Sequence, residues 1–310
     1  MTHITAIGEI LIDLTQTGVS DNDVALFAAN PGGAPANVAV AASRLGAKTA
    51  FLGKVGEDSF GESLRATLSK NGVDTSGLLT HPSHTTMAIV SVNSQGERSF
   101  SFLRGADCML SPDEVNPAQL EQSKILHFGS VSLTAGPSRS ATVFAARHAH
   151  RHGVLVSYDP NYRPSLWNTP EDAQQWMTIP LSLVDIIKVA DDELYMVAGT
   201  HDVEEGARIL AEKGISLVLI TLGANGVFYR WQGKTGTVPG IPVRVGDTNG
   251  AGDTFLGAVL ARLTAREVSP LEGLDVEELE DILSFSNRAA AFTCSGHGAI
   301  PAMPTTADLT

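Results

Sequence analysis

A short stretch near residue 250 sets two carboxylates around a run of small residues, Asp247-Thr-Asn-Gly-Ala-Gly-Asp253. It follows a strand-like segment, residues 241–245, and opens an apolar run of helical character, residues 255–263. Small residues at a helix start let the amides of Gly250, Ala251 and Gly252 point at one oxygen-rich ligand, and the helix dipole favours negative charge there. Asp253, just inside the helix, can accept a proton from an alcohol while those amides hold a phosphoryl group under attack. In-line phosphoryl transfer needs these parts together with a metal ion. A bare Gly-x-Gly reads as a turn with a first-turn acid. Acids at both ends of the loop, between a strand and a helix, tip the reading toward chemistry.

A second set of residues suits a polyol. Asp13 closes the apolar run 5–13, at the end of a strand where open α/β sheets place their ligands, and its carboxylate can accept two vicinal hydroxyls. In Gly32-Gly33-Ala-Pro-Ala-Asn37, Gly33 permits close approach of backbone to ligand, and Asn37 can both donate and accept. Taken singly, Asp13 reads equally as a cap and the glycine pair as a turn. A third set suits phosphates. In Asp159-Pro-Asn-Tyr-Arg163, Asn161 and Arg163 can meet phosphate oxygens, while Asp159 reads as a turn residue bonding its own backbone. Thr221-Leu-Gly223-Ala-Asn-Gly226 is a strand followed by two spaced glycines, weak alone but suited to a turn over a nucleotide.

The elements that must position these groups follow from periodicity. Apolar runs at 5–13, 49–54, 125–128, 155–159, 186–189 and 217–222 read as buried strands. Segments 36–45, 60–71, 139–152, 171–176, 193–198 and 203–213 read as helices. This alternation predicts an α/β core, a mostly parallel sheet covered by helices. Two insertions carry β signals: residues 15–30, and residues 85–104, a hairpin with Asn93-Ser-Gln-Gly96 at its turn, ending at Arg104. The expected division is a core of 1–14, 31–84 and 105–310, with a small β lid from 15–30 and 85–104.

Composition narrows the function. A net charge of −13 over 310 residues argues against a nucleic-acid partner, whose phosphates demand clustered Lys and Arg. Two cysteines make no disulfide framework or zinc spacing, and no run of about 18 apolar residues spans a membrane. The expected compartment is the cytoplasm. A Walker motif is absent, and the first strand is not followed by Gly-x-Gly-x-x-Gly, which excludes P-loop kinases and disfavours nicotinamide dehydrogenases. The histidines pair with no Ser or Cys in a nucleophile motif.

The loop 247–253 resembles the C-terminal signature of the PfkB (ribokinase-like) carbohydrate kinases, Thr248, Gly250, Ala251, Gly252 and Asp253 matching it position for position. Gly32-Gly33-Ala-Pro-Ala-Asn37-Val-Ala39, closed by Arg44-Leu-Gly46, resembles the upstream signature, and Gly53-Lys-Val-Gly-Glu-Asp58-Ser-Phe-Gly61 is a weaker shared feature. The resemblance runs over essentially the whole chain. It implies a three-layer α/β/α core with a β lid over the sugar, Asp253 as base, and the amides of Gly250, Ala251 and Gly252 as anion hole. It implies sugar contacts from Asp13, Gly33 and Asn37. The stretch 96–107 is similar to that of bacterial fructokinases, which implies that Arg104 faces the sugar; Arg98 reads as a surface residue. Glu193 matches a Glu that orients Mg²⁺ through water, although Ala190 stands where the family commonly has Asn. The resemblance further implies that Asn287 and Gly298 border the adenine, and that Asp247 lies beside a monovalent cation, which makes K⁺ activation a hypothesis.

The resulting expectation is an ATP- and Mg²⁺-dependent kinase acting on a primary hydroxyl of a free sugar, fructose first. Competing substrates are 2-keto-3-deoxygluconate, ribose and ribosides, each able to present such a hydroxyl. The competitor of another class is a non-catalytic sugar or nucleotide sensor, which has no need of Asp253. A homodimer through the lid is a further expectation, because lid strands offer unpaired edges.

Overall fold

The apolar run 5–13, read as one strand, is two. Its first half lies in the main sheet as β1 (Ile4–Ile7), and its second half begins β2 (Leu11–Val19) of a separate sheet. The break falls at Gly8, whose φ of +149° is open to glycine, and where a Cβ would stand 2.8 Å from Pro35 Cγ. Hydrophobicity alone cannot reveal such a turn, because both halves are buried.

The computed structural model describes the backbone of residues 2–92 and 98–310, and the side chains of these apart from 90–92 and 98–100. The turn expected at 93–96 and the side chain of Arg98 lie outside the described residues. After β2 come β3 (Ala25–Gly32), α1 (Ala34–Arg44), β4 (Thr49–Gly56), α2 (Ser59–Lys70), β5 (Val73–Asp74), β6 (Leu78–His81), β7 (Met87–Val92) and β8 (Arg98–Leu103). Then follow α3 (Pro117–Glu121), β9 (Ile125–Gly129), α4 (Ser138–Arg151), β10 (Leu155–Asp159), α5 (Pro170–Thr178), β11 (Ile186–Ala190), α6 (Leu194–Ala198), α7 (Val203–Glu212) and β12 (Leu217–Thr221). The chain closes with β13 (Val227–Trp231), β14 (Lys234–Val238), α8 (Ala251–Thr264) and α9 (Val276–Ser295).

The main sheet runs β14-β13-β12-β11-β10-β9-β1-β4-β5, with β6 also on β4. It is parallel from β12 to β5 and antiparallel only through β13 and β14. Alternate strand residues face opposite layers. Leu126, Phe128, Ile187, Val189, Val218 and Ile220 pack with α4, α5, α6 and α7. Ile125, Ile186, Leu217 and Leu219 pack with α1, α8 and α9. This is the three-layer α/β arrangement expected.

The second sheet has the order β3-β2-β7-β8, antiparallel at its two outer pairings and parallel between β2 and β7. Its first strand begins earlier than expected: β2 starts at Leu11, so Asp13 belongs to this sheet, opposite Asn30 on β3 and Ala88 on β7. A second correction concerns residues 241–245. Their apolar alternation reads as a strand, yet the segment is coil, with Ile241, Val243 and Val245 exposed. The antiparallel pair β13–β14 ends the sheet instead, joined at Gln232-Gly233, both at positive φ.

Candidate active site

Helix α8 supplies the floor of the site. Eleven of its fourteen residues are buried, and Gly250 precedes it in the left-handed region at φ +76°. The first turn of any helix leaves amides without intrahelical acceptors. Of the three amides expected to form the anion hole, that of Ala251 donates to Thr248 O at 3.3 Å, while those of Gly250 and Gly252, like that of Asp253, have no backbone acceptor among the described residues. A Cβ on Gly252 would lie 3.1 Å from Lys188 Nζ, so glycine leaves this ammonium room beside the helix start.

Asp253 is buried and held from two sides. Asn37 Nδ2 donates to its Oδ2 at 2.8 Å and Asn161 Nδ2 to its Oδ1 at 3.3 Å. Burial pushes its carboxyl up to about 6 and Asp159 adds to the rise, against the Asn37 bond, Lys188 and Arg163. Asn37 reaches it from α1, whose start is set by Gly33 at φ +106°, where a Cβ would stand 2.5 Å from the Glu9 carbonyl. The Oδ1 of Asn37 is buried without a hydrogen-bond partner among the described residues, an acceptor available to a hydroxyl.

The strand ends opposite α8 carry the charges. Lys188 on β11 reaches Asp159 on β10 at 3.0 Å, both buried. Burial works against the ammonium, but Asp159, Glu193 and Asp253 outweigh it and raise the Lys188 pKa. Glu193 accepts from the Tyr162 amide at 2.6 Å, its other oxygen is buried without a partner among the described residues, and burial raises its carboxyl. Arg163 bonds its neighbour's carbonyl, Tyr162 O, at 3.1 Å and opposes the rise of Asp253, Glu193 and Asp13. The Ala190 methyl offers no donor or acceptor beside Glu193.

Asp13 comes to this group from the second sheet. Burial lifts it to about 6, Arg163 opposes the rise, and the Asn249 side chain hydrogen-bonds it. A Cβ on Gly32 would lie 2.2 Å from Asp13 Oδ2, so the glycine pair leaves room for the carboxylate. Arg104 spends its guanidinium on Asp107 (2.6 Å), Thr134 Oγ1 (2.8 Å) and Val131 O (3.4 Å).

Farther along α8's loop, Asp247 accepts from the amides of Asn249 at 3.0 Å and Gly298 at 3.2 Å, while Gly246 and Asp247 donate to Cys294 O. The two loops 246–249 and 294–298 are thereby joined. Asn287 donates to Val238 O and Pro239 O, tying α9 to the coil after β14. Gly223 and Gly226 take positive φ between β12 and β13, and Thr221 pairs with Ala190 at the sheet's end.

Three residues escaped the sequence reading. Lys188 sits inside a buried strand and Glu9 inside the first apolar run. Glu9 Oε1 accepts the Ala34 amide at 3.1 Å, and burial raises its carboxyl to about 8. A charge within a continuous apolar run is the signal that points to both. Asn249 gave no such signal.

The chain matches the family model described as pfkB family carbohydrate kinase over residues 1–306. It is 42% identical to a probable fructokinase-2 of Arabidopsis thaliana, over 97% of this chain and 93% of that protein. A fructokinase of Xylella fastidiosa with bound ATP superposes with a TM-score of 0.92 at 32% identity, over 99% and 96% of the two chains. A double-mutant fructokinase of Vibrio cholerae O395, in a form with fructose, ADP and potassium ion bound, superposes at 0.90 with 33% identity, over 100% and 97%.

Proposed function

This chain belongs to the pfkB family of carbohydrate kinases, and from that premise we propose that it transfers the terminal phosphoryl group of ATP to the primary hydroxyl of fructose, giving fructose 6-phosphate. The observation that carries the reading is Asp253: a buried carboxylate held by two amide donors at the mouth of α8.

The sugar is gripped by Asp13, by the free acceptor of Asn37 and by the backbone at Gly33, with Arg104 beside them. Its hydroxyl oxygen attacks the terminal phosphorus, and the bond from that phosphorus to the ADP oxygen breaks. The hydroxyl proton passes to Asp253, which is ionised above about pH 6. Negative charge gathering on the transferred group meets the Gly252 and Asp253 amides, the α8 dipole and Lys188. Arg163 and Asn161 approach from the β10 end. Glu193 suits Mg²⁺ bound through water, because its buried Oε2 lacks a protein donor among the described residues; the ion supplies charge neutralisation when bound. The purine lies against Gly223, Gly226, Thr221 and Gly298, and Asn287 acts by holding the coil after β14.

Two finer assignments go with this. The joined loops around Asp247 hold a monovalent cation, in keeping with the potassium of the Vibrio relative; equal rates in K⁺ and Na⁺ buffers exclude it. The outward apolar residues Val19, Leu26, Phe27 and Leu103 pair with the lid of a second copy, which sedimentation reads as a dimer mass. Two unpaired cysteines suit a reducing cytoplasm, the compartment we assign. Among the described residues no helix is long and apolar enough to cross a membrane.

A panel of fructose, ribose, 2-keto-3-deoxygluconate and ribosides at saturating ATP tests the whole. Fructose is expected to give the highest kcat/KM. A tenfold better rival reassigns the substrate, and absence of any sugar-dependent ADP formation leaves only the sensor.

A further inference from the structure

On the far side of α4 from the strands, Glu121, His148 and His152 form the one cluster of three metal-ligating side chains among the described residues. Glu121 is the last residue of α3. His148 and His152 are one turn apart at the end of α4, their rings stacked with centroids 4.1 Å apart. We propose that these three residues bind a divalent transition-metal ion of the imidazole-preferring class, Zn²⁺ above all.

Donor spacing fits. Zn–N and Zn–O bonds of about 2.0–2.2 Å in a tetrahedron set neighbouring donors roughly 3.3–3.6 Å apart. Glu121 Oε1 lies 2.8 Å from His148 Nε2 and 3.8 Å from His152 Nε2, and all three ligand atoms lie within 4.8 Å of one another. Small side-chain rotations equalise these spacings. His152 is already oriented, since its Nδ1 stands 2.8 Å from the His148 carbonyl. A carbonyl requires N–H there, so the neutral imidazole carries its lone pair on Nε2, on the side of Glu121, the arrangement found behind metal-bound imidazoles. His152 and Glu121 are about half exposed, which leaves an entry path and a fourth position for water.

The ion would also meet the negative end of α4, where cations are favoured. Arg147 and Arg151 oppose it. They face an adjacent groove with Arg139 and Trp176 and weaken the attraction for a cation. Two imidazoles select against Mg²⁺, which prefers oxygen donors and near-ideal octahedra, so the site is distinct from any ion serving phosphoryl transfer. Because the ligands come from two helices, occupancy fastens α3 to α4.

The test uses the full chain, stripped with chelator. Titration with Zn²⁺ by calorimetry and with Co²⁺ by visible absorption is expected to give one equivalent, with a thermal midpoint that climbs with free Zn²⁺. His148→Ala and His152→Ala each weaken binding at least tenfold, Glu121→Gln less. His150→Ala, an exposed neighbour outside the cluster, leaves it unchanged, and all four variants keep Mg²⁺-ATP turnover. Three results overturn the proposal: no binding at millimolar Co²⁺, equal weakening by His150→Ala and His148→Ala, or full binding in the His148→Ala/His152→Ala double variant. The last would move the ion to the carboxylates around Asp253.

Discussion

Asp253 and Asp13 carry the same functional group, are both raised by burial to about 6, and are anchored in opposite ways. Asp253 rides a helix packed between α1 and α9, and two asparagines from other segments fix its oxygens. Asp13 rides a strand whose neighbour β3 has four of eight residues exposed, and its side chain reaches the core through Asn249. The difference assigns the parameters of turnover. On the proposed roles, the chemical step depends on the deep core, and the hold on the sugar depends in part on a sheet whose strand β3 is half exposed.

The largest effect separates these two. Asp253→Asn should lower kcat by about 10³-fold or more, with ATP KM within a few-fold, because it removes the proton acceptor alone. Near-normal turnover would refute the assignment of the base. The same variant carries a stability signature. A folded-state pKa raised above the unfolded one gives stability that is full below about pH 4 and lost as pH rises through about 6. Asparagine does not ionise, and Asn37 can turn its free Oδ1 toward the new amide. The variant's melting temperature should therefore exceed the parent's by a margin that grows from pH 4 to pH 7. The margin corresponds to at most about 3 kcal/mol for the shift of roughly two units.

Lys188→Met breaks the core side of the comparison differently. It leaves Asp159 buried without its cation, which should cost about 3–5 kcal/mol in denaturant unfolding. The double variant Lys188→Met/Asp159→Asn should recover part of that loss. No recovery would mean that Lys188 matters through packing and not through the pair.

On the lid side, Gly32→Ala forces a methyl against Asp13 Oδ2. Sugar KM should rise about tenfold while ATP KM holds, since the altered grip is confined to the sugar. A parallel rise in both constants would show that the lid and the floor are not separable.

The smallest effect is one of slope. With both carboxylates near 6 and both needed ionised, log kcat/KM for fructose should fall below pH 6 with a slope approaching two. Asp13→Asn should reduce that slope to one, measured at low fructose across pH 4.5–8.

Much of this was legible in the residues. The strand–helix alternation gave the three layers, and the loop 247–253 gave the helix mouth with its acid. What escaped did so for physical reasons. The run 5–13 is buried from residue 5 to residue 12, so hydrophobicity could not report the switch of sheet at Gly8. Residues 241, 243 and 245 alternate like a strand but find no partner edge, because β13 turns back to fill it. The Asp159–Lys188 pair joins residues 29 apart on adjacent strands, a register that only the folded sheet supplies. Asn249 took its meaning from Asp13, and Asp13 from a lid strand that starts at Leu11.

The burial of α8 has one more consequence. Amide protection and resistance to opening follow buried contact, so the helix that bears Asp253 belongs to the last part of the molecule to open. The strands that bear Asp13 belong among the earlier. Under mild denaturant this protein should lose its grip on sugar before it loses the ability to turn over what it holds, and residual activity at saturating fructose becomes a gauge of how much of the chain is still globally folded.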